Sequence, residues 1–219
     1  ENADKVKTIY AATNNEKTSS LYAITLDGER ERILTGISNY NIKNGRIFYT
    51  TSDNVLNTGK ISGSKLTDES KIASSADSMI VSDDGNYVCY ARNGESTGTY
   101  YCFKIGDKES KKIATDIDSI CGFSADGSAI YYLKDCLSDN NSKDKYGTLY
   151  RWSYKDEEGT QIASDVLRYS VTSQTDSIFA INDKSFVYEK YEKGKDKKTI
   201  SSLYRYDGKE STKMADSIF

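Results

Sequence analysis

Histidine and proline are both absent from the 219 residues. Without histidine the chain lacks the commonest general base and the commonest metal ligand, which excludes Ser–His and Cys–His nucleophilic catalysis. Without proline, tight turns fall to Gly, Asn, Asp and Ser. No run approaches the roughly 18 apolar residues of a membrane helix, and the first residues show no signal-peptide pattern. Sustained i, i+3, i+4, i+7 stripes are missing too, so few helices are expected. The net charge of −3, with a pI near 5.2, offers no field for nucleic acid. Four cysteines, at 89, 102, 121 and 136, make neither a disulfide scaffold nor a zinc spacing.

What is present is a repeat. A short segment recurs five times: Arg32-Ile33-Leu34, Lys71-Ile72-Ala73, Lys112-Ile113-Ala114, Gln161-Ile162-Ala163 and Lys213-Met214-Ala215. Its central residues are separated by 39, 41, 49 and 52 positions. A polar turn precedes each copy, as in Asp27-Gly28-Glu29 and Asp207-Gly208-Lys209. Before that turn comes an alternating aromatic run: Leu21-Tyr22-Ala23-Ile24, Tyr100-Tyr101-Cys102-Phe103, Leu149-Tyr150-Arg151-Trp152 and Leu203-Tyr204-Arg205-Tyr206. Upstream again lie Ile9-Tyr10, Ile47-Phe48-Tyr49, Tyr87-Val88-Cys89-Tyr90, Ile130-Tyr131-Tyr132 and Phe186-Val187-Tyr188, opened by Gly45, Gly85 and Gly127 in three units. Short β-branched and aromatic runs between turn residues are strands. Four strands in roughly 40–50 residues is the period of a propeller blade.

The expected fold is therefore an all-β propeller of four-stranded meander blades, one domain over 1–219, with units of about 1–36, 37–75, 76–116, 117–165 and 166–219. Inner strands are expected at Tyr40-Asn41-Ile42, Met79-Ile80-Val81 and Ile120-Cys121-Gly122-Phe123. In the fifth unit both Tyr169-Ser170-Val171 and Asp176-Ser177-Ile178-Phe179 fit the phase. Residues 6–35 supply three outer strands without an inner one, while Ala215-Asp216-Ser217-Ile218-Phe219 reads as an inner strand. If the two share a sheet, five blades close into a ring; the alternative is an open fragment of a six- or seven-bladed propeller.

Ser82-Asp83-Asp84-Gly85-Asn86-Tyr87-Val88 and Ser124-Ala125-Asp126-Gly127-Ser128-Ala129-Ile130 resemble the Ser-Pro-Asp-Gly signature of TolB-type, WD-like propeller repeats. In such repeats the signature turns the inner strand into the second, and Asp-Gly supplies the left-handed conformations of a tight hairpin. Asp83 and Ala125 stand where those repeats carry proline. The repeat pattern over nearly the whole chain is also similar to Tyr- and Lys-rich surface propellers of Gram-positive anaerobes, which implies an extracellular or cell-surface setting.

Asp77, Asp118 and Asp216 precede or open inner strands, each followed by Ser, and would gather at one mouth of a central channel. They are read either as an acidic ring for a cation or ligand hydroxyls, or as strand ends bonding nearby amides. Tyr40, Tyr146, Tyr169 and Tyr191 lie near loops and form a candidate platform for sugar or peptide; Tyr40 and Tyr169 join the three aspartates as candidate ligand-binding residues. The loop Asp135–Tyr146 offers Asp139, Asn141 and Asp144 but lacks the glycine and glutamate of a calcium loop. Cys89 and Cys102 sit on the arms of one hairpin and are either bridged or packed as thiols. The reading is a monomeric, non-catalytic module for a protein or carbohydrate ligand. No metal, cofactor or catalytic residue is assigned. The alternatives are a glycan-active enzyme with paired carboxylates and a structural segment of a larger protein.

Overall fold

Runs of Val, Ile and Tyr bounded by Gly, Asn, Asp and Ser form eighteen strands in the computed structural model, which describes residues 8–15, 18–92, 98–138, 145–167, 179–182, 185–193 and 199–216. Sheet one holds β1 (Thr8–Asn15), β2 (Thr18–Thr25) and the first half of β3 (Arg30–Lys43). Sheet two holds the rest of β3 with β4 (Arg46–Thr51), β5 (Leu56–Ser62) and β6 (Lys65–Ala73). Sheet three is β7 (Ser78–Val81), β8 (Tyr87–Ala91), β9 (Tyr100–Lys104) and β10 (Lys111–Ala114). Sheet four is β11 (Ile117–Phe123), β12 (Ala129–Ser138), β13 (Lys145–Ser153) and β14 (Gly159–Leu167). Sheet five is β15 (Phe179–Asn182), β16 (Ser185–Lys193), β17 (Thr199–Tyr206) and β18 (Ser211–Ala215). By continuous hydrogen bonding the described strands form three sheets, β1–β6, β7–β10 and β11–β18. The first and third divide where one strand turns from one meander into the next, giving five antiparallel meanders, each with the form of a propeller blade.

One strand can serve two blades. β3 runs through Gly36, whose φ of 70° turns the chain out of sheet one; Ile37 then pairs with both Ser19 and Thr51. Val166, just past Asp165 at φ 57°, makes the same double connection, back to Gly147 and forward to Lys190. The fifth inner strand ends in register at Ala180 opposite Phe186, fourteen positions beyond Val166. In sheet four the matching step, Ile117 to Phe123, takes six. The fifth unit thus carries about eight extra residues. That is why two segments both fitted the phase. Phe179 falls in β15, whereas 168–178 lie outside the described residues.

Alternation along the second strand of each blade assigns every side chain to one flank or the other. Ile47 and Tyr49 face sheet one and pack with Leu21, Ile37 and Ile61, while Phe48 faces sheet three with Val81, Val88 and Tyr90. Tyr87 and Cys89 face sheet four beside Ile130, Tyr132 and Trp152; Tyr131 and Leu133 face sheet five beside Phe186 and Tyr188. Four apolar seams therefore join five successive blades. The closing strand expected at 215–219 falls largely outside the described residues, and Ala215 belongs to β18, opposite Leu203. Among the described residues, β1 pairs only with β2 and β18 only with β17.

Many of the tyrosines share one job. Tyr49, Tyr90, Tyr132 and Tyr188 occupy one position in blades two to five and reach across the third strand toward the fourth. Tyr49 donates to Glu69 Oε2 at 2.7 Å, and Tyr90 pairs with Ser110 Oγ at 2.9 Å. Tyr132 Oη lies where a Cβ on Gly159 would be 2.6 Å away, so a larger residue there would push the phenol aside. Tyr188 points toward Ser211, yet its buried hydroxyl makes no full hydrogen bond. The partners opposite them, Tyr101, Tyr150 and Tyr204, stack on Tyr90, Tyr132 and Tyr188 at centroid distances of 5.9, 5.4 and 5.7 Å. A phenol supplies both the wide apolar body and the polar tip such a strut needs.

Candidate functional site

A meander sends its turns alternately to two ends. The crossovers into each inner strand and the turns between second and third strands share one end, the mouth. The first and last turns of each blade share the other. The two Asp-Gly turns lie at that second end and are locked identically. Ser82 Oγ donates to Asp84 Oδ1 (2.5 Å) and accepts from Tyr87 N–H (2.9 Å), while Asn86 N–H bonds Asp84 Oδ1 (3.0 Å). Ser124, Asp126, Ser128 and Ala129 repeat this set at 2.6, 2.9 and 3.1 Å. Burial works to raise both carboxyls, but the hydrogen bonds outweigh it and hold Asp84 and Asp126 below the usual aspartate range. Gly85 and Gly127 have φ near +70°, and a Cβ there would lie 2.8 Å from Lys43 O and from the Tyr87 ring respectively. The turns of successive blades are therefore in close contact. Asp83, where the resembled repeats carry proline, reaches Lys43 of the preceding blade at 2.7 Å.

Between these turns open polar clefts. The one between sheets four and five has a volume of about 490 Å³ and is lined by Ser124, Asp126, Tyr131, Arg151, Asp207, Gly208 and Lys209. Arg151 on β13 stands opposite Tyr131 on β12, and its charge acts on the Tyr131 phenol and on the Asp126 carboxyl. Burial drives the Tyr131 and Tyr206 phenols up, and the Arg151 charge draws both part of the way back. Arg151 is half-buried and forms no ion pair with any described carboxylate. Asp126 Oδ1 accepts from Ser124, Ser128 N–H and the Ser128 hydroxyl; Asp207 Oδ1 accepts from Lys209 and Glu210 N–H. Each turn thus engages the Oδ1 oxygen of its aspartate.

The candidate residues at the mouth are dispersed over separate blades. Exposed Asp77 precedes β7, with its N–H bonded to Ala91 O at 3.0 Å. Asp118 on β11 accepts from Cys136 N–H at 2.9 Å, across an irregularity in the β11–β12 ladder. Asp216 is ion-paired with Lys213. Tyr40 is half-buried opposite Tyr49 and packs into the seam between sheets one and two. Tyr169 lies outside the described residues, as do Asp139, Asn141 and Asp144. Of the four tyrosines proposed as a platform, Tyr146 and Tyr191 come together, stacked at 4.7 Å with rings 10° apart at the mouth ends of β13 and β16. Among the described residues no group of three or more acidic or cysteine side chains is placed to hold a metal ion. Cys89 and Cys102 do stand directly opposite, as free buried thiols whose burial pushes both far above an ordinary thiol.

The cleft residues Tyr131, Arg151, Asp126 and Asp207 were not candidates from sequence. One signal was present: Arg151 occupies a place in the aromatic run where earlier units have Ala23 and Cys102, both buried. A charge in a core position needs a reason.

No family model matches the sequence, and no curated protein is similar to it. The fold does recur in solved structures. The β-propeller domain of the Trilobed protease from Pyrococcus furiosus, described as having an open velcro topology, matches at TM-score 0.56 and 14% identity, over 94% of this chain and 66% of its own. The tricorn protease matches at 0.57 and 12%, over 96% of this chain and 26% of its own. TolB from Acinetobacter baumannii matches at 0.48 and 18%, over 97% and 52%. This chain thus spans about a quarter to two thirds of the structures it matches. It has the fold of a β-propeller, with Asp-Gly turns at two of its hairpins.

Proposed function

We propose that this propeller is a non-catalytic binding module at the cell surface, and that it takes a carboxylate-bearing stretch of protein or carbohydrate into the cleft between sheets four and five. The single observation that carries the reading is Arg151: a half-buried guanidinium opposite Tyr131 that forms no direct ion pair with a described carboxylate, its charge reaching Asp126 only through space. A planar guanidinium facing a cleft matches a carboxylate two bonds at a time. The Oδ2 atoms of Asp126 and Asp207 accept from ligand hydroxyls or amides, and Lys209 supplies a second cation at the rim. Binding is favoured over acid–base catalysis because, among the described residues, the aspartates with a displaced pKa (Asp27, Asp68, Asp84, Asp126 and Asp207) are displaced downward. A glycosidase acid needs the opposite shift. The cell-surface setting is supported by the sequence resemblance.

The test is a panel of carboxylate-bearing glycans and peptides, scored for binding and for turnover. Arg151→Gln should lose about tenfold or more in affinity for whatever the wild type binds, and Arg151→Lys should restore part of it. Equal binding by wild type and Arg151→Gln removes the cleft. Turnover of a glycan restores the enzyme.

A further inference from the structure

A second cleft at the same end, between sheets two and three, has a different chemistry. Its volume is about 460 Å³, and one wall is basic: Arg46 on β4, Lys60 on β5 and Lys65 on β6. The facing wall is the Asp84-Gly85-Asn86 turn of the next blade. We propose that this cleft is a binding site for a phosphate-type tetrahedral oxyanion, carried as an ester on a sugar or polyol. It goes beyond the carboxylate site, since it lies in another seam and shares no residue with it.

Three observations support it. Arg46 and Lys60 are direct partners across the β4–β5 ladder, and like charges placed opposite each other repel. Lys60 is relieved by Asp68 at 2.8 Å, whereas neither Arg46 nor Lys65 forms an ion pair with a described carboxylate. Asp68 thus sits beside both Lys60 and Arg46, so three cations share one nearby carboxylate outside the cleft, and the wall keeps a positive excess on a protein whose net charge is negative. The only acid lining the cleft, Asp84, is already committed. Its Oδ1 accepts from the Ser82 hydroxyl and Asn86 N–H, and its Oδ2 from the Asn86 side chain at 2.7 Å. Asp84 stays ionised, so the basic wall has to outweigh it, while its hydrogen bonds keep both oxygens turned to its own turn. Arg46 offers a fork, Lys65 a point charge, and Thr67 and Ser62 line the same cleft with hydroxyls for the remaining oxygens. A pocket of this size accommodates the oxyanion together with the group it esterifies.

The experiment is an NMR titration of the whole chain with inorganic phosphate, with glycerol phosphate, and with glycerol as the uncharged control, at low salt. The proposal expects saturable shifts of the Gly45, Arg46, Lys60 and Ser62 amides with both phosphates and none with glycerol. Arg46→Gln and Lys65→Gln should each weaken binding about tenfold, with the spectrum otherwise that of a folded protein. Tighter binding of glycerol phosphate than of phosphate identifies the ester as the ligand; equal binding identifies the oxyanion alone, and both support the site. Shifts that never saturate, that spread over all surface lysines, or that persist in the Arg46→Gln/Lys65→Gln double variant overturn it. Because Arg151 is untouched in these variants, failure here leaves the carboxylate cleft standing.

Discussion

The two ends of the blades differ in a way that separates strand chemistry from ligand chemistry. At the mouth, each candidate aspartate is tied to its own sheet or stands alone: Asp118 to the Cys136 amide, Asp216 to Lys213, Asp77 exposed before β7. At the turn end, side chains from two blades meet. Gly85 abuts Lys43, Gly127 abuts Tyr87 and Asp84, and the clefts draw their walls from both partners. A short-range motif such as Asp-Ser closes a strand. A site needs groups from separate repeats brought together. At the mouth the candidate residues that meet this way are the stacked Tyr146 and Tyr191, whereas at the turns charged and polar groups of two blades converge.

The comparison can be broken by substitution, beginning with the largest effect. Gly127→Ala places a methyl at φ +70° against the Tyr87 ring, and should cost about 2–4 kcal/mol by denaturant unfolding. Asp77→Ala at the mouth should stay within about 0.5 kcal/mol. Equal losses would erase the distinction between the ends.

Ser82→Ala removes the hydroxyl that both donates to Asp84 and receives the Tyr87 amide, and should cost about 1–2 kcal/mol. The same lock gives a pH dependence. Asp84 and Asp126 titrate lower folded than unfolded, so the native state binds fewer protons. Their contribution is complete above the unfolded value near roughly pH 4 and is lost as pH falls through the folded values. In an Asp84→Asn/Asp126→Asn variant that part of the acid slope should vanish; an unchanged slope would show that the turns are not its source.

The tyrosine struts sharpen the contrast between blades. Tyr90→Phe breaks a 2.9 Å bond to Ser110 and should cost about 1 kcal/mol. Tyr188→Phe deletes a buried hydroxyl that lacks a full partner and should be neutral or slightly stabilising. β18, beyond that strut, is exposed at every position, whereas Ile113 at the matching place in sheet three is 7% exposed. Blade three is packed on both flanks by its neighbours. The outer strand of blade five has no such cover among the described residues.

Much of this fold could be read from the chain because its signals are local. The recurring Ile33, Ile72, Ile113, Ile162 and Met214 marked the outer strands, and the Asp-Gly pairs at 84–85 and 126–127 marked real hairpins. The fifth inner strand stayed ambiguous because about eight extra residues let two segments satisfy the same phase. Tyr40, expected on an inner strand near a loop, was a candidate for the binding platform. Register decided otherwise, setting it opposite Tyr49 in a seam. Arg151 was visible but mute, since the residues that give it meaning lie some 20 positions upstream at Tyr131 and more than 50 downstream at Asp207.

The most direct test is a single binding comparison on the carboxylate-bearing panel, using wild type, Arg151→Gln and Asp118→Ala. The turn-end cleft predicts that Arg151→Gln loses about tenfold or more while Asp118→Ala binds as the wild type does. The reverse pattern, with Asp118→Ala weakened and Arg151→Gln intact, would contradict it and return the site to the mouth.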